Sequence, residues 1–149
     1  MKLWCVLLAG ALLGGAAVPT NSPPIDPPQA IRLADDSASG EAVGLFRMRV
    51  AAVGHSRKIS YLNSKPDYRA AGNVTFSLSQ SAMRTLSDRI GTSDPQSLIG
   101  RTVVVAGRIE RRPIVNLGAS NQVLNFNRWG YAVRVTKSQQ LVSITAIDG

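Results

Sequence analysis

The chain has 149 residues, 44% of them hydrophobic, and 17 lysines and arginines against nine carboxylates give a formal net charge of +8. That length suits one domain. The single cysteine, Cys5, lies in the leading segment, which leaves the rest of the chain without a disulfide, a cysteine metal site or a thiol nucleophile.

Met1 to Ala17 carries one early cation, Lys2, then an apolar run from Leu3 through Leu13, then Gly14-Gly15-Ala16-Ala17. This is the pattern of a secretory signal peptide cut after Ala17. The apolar run, about 15 residues, is short of the ~20 that a spanning helix needs, so no membrane span is expected after cleavage. Val18 to Gly40 contains Pro19, Pro23, Pro24, Pro27 and Pro28. Those prolines predict an extended linker, and the domain is expected over residues 41–149.

Val43 to Val53 reads as a first strand, with Phe46, Met48 and Val50 on one face and Leu45, Arg47, Arg49 and Ala51 on the other. Gly54-His55-Ser56 is the predicted turn, and Arg57 to Asn63 the second strand. After a turn at Ser64-Lys65-Pro66-Asp67, Val74, Phe76 and Leu78 point inward from a third strand, with Thr75 and Ser77 outward. A helix follows: Ser79 is its N-cap, Ala82/Met83, Leu86 and Ile90 form its apolar stripe, and Gly91 ends it. Asp94-Pro95 starts one further turn through Leu98.

The fourth strand is predicted over Thr102 to Glu110, with Gly107 as a bulge or barrel bend. Pro113-Ile114-Val115 and Gln122-Val123-Leu124 read as a short hairpin turning at Gly118 to Asn121. Tyr131 to Val135 is the last firm strand, with an edge from Leu141 to Ile144. Three strands, a helix and two strands is the element order of an OB-fold, a mainly β, five-stranded barrel with a helix between strands three and four. Here the connection between strands four and five is enlarged.

The residues Tyr61-Leu62-Asn63, Asp67-Tyr68-Arg69 and Val74-Thr75-Phe76, with the run from Asp94 to Ile109, resemble a bacterial secreted OB-fold domain. The resemblance is to the OB segment appended to micrococcal-nuclease-like proteins, and it spans residues 43 to about 144. It implies a secreted or periplasmic OB domain. Nuclease active-site residues are not carried over with it.

From residue 41 onward fifteen cations, twelve of them arginines, stand against six carboxylates. Such a field favours polyanions, and arginine forks onto phosphate or carboxylate. Arg108, Arg111, Arg112, Arg128 and Trp129 cluster around the enlarged connection, where arginines can meet phosphates and an aromatic face can stack a base. Arg47 and Arg49 share a face of the first strand, with Tyr61 on the second. These eight residues are the candidate ligand-binding set. Asp67 fits a turn role. His55 is the one histidine, and no acid cluster has ligand spacing, so no metal, cofactor or catalytic set is assigned. Asn73-Val74-Thr75 is a glycosylation triplet at a strand start. The sequence thus predicts an exported, non-catalytic binding module for an anionic polymer, single-stranded nucleic acid or an acidic glycan, or alternatively an envelope protein-interaction or structural module.

Overall fold

The computed structural model describes residues 21–145; the predicted signal peptide lies outside them. The protein is mainly β: a curled sheet of seven strands with two α-helices. In chain order the elements are α1 (Pro27–Asp36), β1 (Glu41–Arg49), β2 (Ala52–Ser56), β3 (Ile59–Asn63), β4 (Val74–Ser79) and α2 (Gln80–Ile90). They continue as a 3₁₀ turn (Pro95–Leu98), β5 (Thr102–Leu117), β6 (Val123–Val135), a second 3₁₀ turn (Ser138–Gln140) and β7 (Leu141–Ile144).

The sheet order is β1-β5-β6-β4-β3-β2, with β7 added to β5. All pairs are antiparallel except β4 with β6. The outermost strands of that order, β1 and β2, are successive in the chain. Val50 and Ala51 join them, and both are bonded: the Val50 N–H donates to the Arg101 carbonyl (2.9 Å) and the Ala51 N–H to the Asn63 carbonyl (2.8 Å). The predicted first strand is therefore two strands around a corner. Gly54-His55-Ser56 belongs to β2 rather than to a turn, because the reversal falls at Arg57-Lys58, where Arg57 takes φ +49°.

The core lies inside the curl. Phe46, Met48, Leu62, Phe76, Leu78, Leu86, Leu98, Val105 and Ile109 are its large, fully buried side chains. On β4 the alternation is as the sequence predicts, with Val74, Phe76 and Leu78 buried. Helix α2 is capped as predicted: Ser79 Oγ accepts from the Ala82 N–H (3.3 Å), and Gly91 ends it at φ +74°. Ala82 and Leu86 face the core.

Residues 18–40 are not all linker. Pro27 and Pro28 occupy the first turn of α1, where a missing N–H costs nothing and a fixed φ is helical already. Ala30 and Ala34, one turn apart, are buried, and their small side chains let the helix pack closely on β1 and β5. Ahead of it, Ile25 bridges to β1: its N–H donates to the Leu45 carbonyl (2.7 Å), and its own carbonyl accepts from Arg47 (2.9 Å). Gly44 leaves room for this strap, since a Cβ there would stand 2.8 Å from Ile25 Cδ1.

The fourth strand does not end at Glu110. It runs on through Pro113 to Leu117 and pairs with β6 along its outer length. Gly107 is no bulge; it sits in register opposite Gly44. The irregularities fall instead between Ile114 and Val115 and between Asn116 and Leu117 opposite β6, and between Val104 and Val105 opposite β7. Beyond the last β1–β5 pair (Glu41 with Glu110) and the last β4–β6 pair (Val74 with Tyr131), the ribbon leaves the body as a two-stranded arm.

Candidate functional site

Strand alternation puts Ser60 and Leu62 of β3, Val74, Phe76 and Leu78 of β4, and Val133 and Val135 of β6 inside, and turns the residues between them to the outer face. Two rows of that face lie across the strands. One runs Gly54, Tyr61, Ser77, Arg134; the next runs Ala52, Asn63, Thr75, Ala132, Glu110. The arm bounds this face with Arg112, Pro113, Ile114 and Gly130, and the loop after β3 bounds it with Tyr68.

The result is a groove. Its larger stretch, about 550 Å³, is lined by Tyr61, Tyr68, Asn63, Thr75, Ser77 and Arg112 among others. A second stretch of about 390 Å³ shares Tyr61, Ser77, Arg112 and Ala132, and adds Ile59, Glu110, Arg134 and Thr136. The two stretches adjoin along these shared residues. Along β4, from Thr75 to Ser79, the groove follows the strand for roughly 13 Å at 3.3 Å per residue.

The loop carrying Tyr68 is held by a buried amide. The Asn73 Nδ2 amide donates to Asn63 Oδ1 (3.2 Å), Thr75 Oγ1 (3.1 Å) and the Tyr68 carbonyl (3.3 Å). Its Oδ1 accepts from the Lys65 N–H at 3.1 Å. Thr75 Oγ1 in turn donates to Asn63 Oδ1 at 2.7 Å. Asp67 closes the turn by accepting from the Arg69 N–H at 2.8 Å, and the Arg69 guanidinium lies 5.0 Å from the Tyr68 ring centre. With its amide committed inside the fold, Asn73 does not present the glycosylation triplet.

The eight sequence-predicted residues do not share one surface. Tyr61 and Arg112 meet in the groove. Arg128 stands opposite Ile114 on the arm. Arg111 and Trp129 stack at the arm's root, 4.7 Å apart from guanidinium carbon to ring centre, and Trp129 lies against Phe126 at 5.2 Å. Arg47 and Arg49 lie on β1, beside Thr102 and Val104, and Arg108 is opposite Val43 on the same flank.

Four of these arginines already hold a carboxylate: Arg47 with Asp26, Arg108 with Glu41, Arg111 with Asp35, Arg112 with Glu110. The Arg47 fork is bidentate (2.9 and 3.0 Å), and its hydrogen bonds hold the Asp26 carboxyl below its ordinary range. At the arm's root, burial first and the bond to Asp35 (2.8 Å) second push the Tyr131 phenol up to about 12. Among the described residues Arg49, Arg128 and Arg134 form no ion pair.

Asn63, Tyr68, Thr75, Ser77 and Arg134 were not in the predicted set. The outward parity of Thr75 and Ser77 beside Val74, Phe76 and Leu78 was the signal for the groove floor. Among the described residues no group of three or more His, Cys, Asp or Glu is placed to hold a metal ion. No helix there is long and apolar enough to cross a membrane. Comparison with protein-family models, curated proteins and solved structures gave no match.

Proposed function

We propose that the curled sheet is an OB-fold barrel and that the protein is an exported, non-catalytic binding module for a linear anionic polymer, single-stranded nucleic acid foremost. The fold part rests on the strand order, the parallel β4–β6 pair and the position of α2 between β4 and β5. In that architecture β1 and β2 are the two halves of one bent strand.

The observation that carries the function is the groove itself. Tyr61 stands at its centre, Tyr68 at one rim, and Arg112 and Arg134 along its far side. Aromatic faces stack bases without regard to sequence, and flanking cations track the phosphates. A channel that continues past its central ring suits a chain rather than a compact ligand. The net charge of +8 raises the local concentration of any polyanion.

Filter binding of the protein to single-stranded DNA, duplex DNA and a sulfated glycan across a salt series tests this reading. Single strands are expected to bind best, with affinity falling steeply as salt rises. Tyr61→Ala should cost about 1–3 kcal/mol, the range for one stacked base. Arg134→Ala should reduce the salt slope by about one. Salt-independent retention, or a Tyr61→Ala protein that binds like the parent, would sink the proposal. Oligonucleotide recovered shortened after incubation with calcium or magnesium would show it to be an enzyme.

A further inference from the structure

The arm carries a second surface, whose apolar face of Val115, Phe126 and Trp129 does not line the groove. From Pro113 to Asn127 the sequence has no charged side chain. In register, Phe126 faces Val115 and Trp129 faces Pro113, and the Phe126 and Trp129 rings touch, so Val115, Phe126 and Trp129 share one face. The tip adds Leu117, Val123 and Leu124. Val123 is 64% exposed, Leu124 60%, Phe126 53% and Trp129 44%. A separate ladder of amides links Asn116 to Asn125 (2.6 Å) and Asn127 to Asn116 (3.1 Å). The arm is therefore an amphipathic ribbon, aromatic on one side and amide on the other.

Such a ribbon is poorly supported by itself. A two-stranded hairpin is marginal in water, and a chain rarely leaves this much contiguous apolar surface open without a use for it. Charge identifies the occupant. Arg111, Arg112 and Arg128 stand at the root of the uncharged arm, the first two paired with Asp35 and Glu110, and no carboxylate occurs between Glu110 and Asp148. A chain at +8 repels a second copy of itself and is drawn to an anionic sheet of lipid. Tryptophan with arginine beside an apolar face is the composition of a membrane–water interface.

The geometry points to the β5–β6 arm as a membrane-surface element that lays its Val115–Phe126–Trp129 face into the interface of an anionic bilayer. The amide ladder stays toward water, and Arg128 at the root, which forms no ion pair among the described residues, reaches for lipid phosphates. The groove, which the base of the arm borders through Arg112 and Ile114, keeps its own ligand.

The test uses the full chain with Trp4→Phe, which leaves Trp129 as the sole tryptophan. It is mixed with vesicles of phosphatidylcholine alone or with phosphatidylglycerol. Trp129 emission should move to the blue on the anionic vesicles, and brominated acyl chains should quench it. Partition should be about tenfold or more stronger there than on phosphatidylcholine. The Leu124→Ser/Phe126→Ser double variant should lose most of that gain, about tenfold, while its oligonucleotide affinity stays unchanged. Vesicle attachment with Trp129 unshifted and unquenched would overturn the inference, because the leading apolar segment would then be the anchor. A blue shift without lipid that grows with protein concentration would also overturn it, in favour of a second copy.

Discussion

Asn73→Ala probes the polar staple under the groove. Asn73 is 7% exposed, and its amide meets three acceptors with two hydrogens, so one hydrogen is shared. Truncation leaves Asn63 Oδ1 its bond from Thr75, but orphans the Lys65 N–H and the Tyr68 carbonyl and takes the acceptor of the Ser64 hydroxyl. The Lys65 and Tyr68 groups belong to exposed residues that water can reach, and the Ser64 hydroxyl is free to rotate, so the two backbone orphans each fall at the low end, about 1 kcal/mol, of the range for an unmade bond. Adding about 1 kcal/mol for the lost Asn–Asn bond gives a total of about 3 kcal/mol. Urea denaturation should show the midpoint falling with the slope unchanged. Because the same amide holds the Tyr68 loop, oligonucleotide affinity should fall in the folded variant too. A loss of stability below about 0.5 kcal/mol would refute the staple, since a buried amide with these partners cannot be that nearly neutral.

Two further outcomes follow from the N-terminal helix and the phenol beneath it. Ala34→Leu puts three extra carbons where α1 meets β1 and β5 with no exposed surface left, and should cost about 1–3 kcal/mol in thermal or urea unfolding; an unchanged midpoint would mean that α1 is not docked. Tyr131 holds its proton to about 12, above the ordinary value of 10, so its share of stability is intact below pH 10 and drains away as pH climbs from 10 to 12. Tyr131→Phe should remove the latest-rising part of the phenolate absorbance and flatten the loss of melting temperature in that window; phenolate curves that differ only in height would contradict the Asp35 bond.

The inward side of β4, the caps of α2 and the Asp94-Pro95 turn were legible because each depends on residues within a few positions of one another. The proline run before α1 was not. Proline suits both an extended path and the first turn of a helix, and what decides here is burial of Ala30 and Ala34 against strands that come later. The length of β5 was obscured by Pro113, which in the arm lies on an otherwise uncharged ribbon rather than stopping it. The site divided in the same way. Tyr61 and Arg112 could be picked out as a ring and a cation, but their meeting depends on the β3–β4–β6–β5 order. The fate of Arg108 and Arg111 was invisible, because Glu41 and Asp35 lie 67 and 76 positions away.

The corner at Val50 and Ala51 has a consequence for how copies of this protein tolerate crowding. An ordinary sheet ends in two raw seams that can zip onto a neighbour. Here the chain turns directly from one outer strand into the other, and Ile25 is hydrogen-bonded along part of the outer side of β1. Cutting the peptide between those two residues would part the two outer strands and leave each with a free end beside an edge open to pairing.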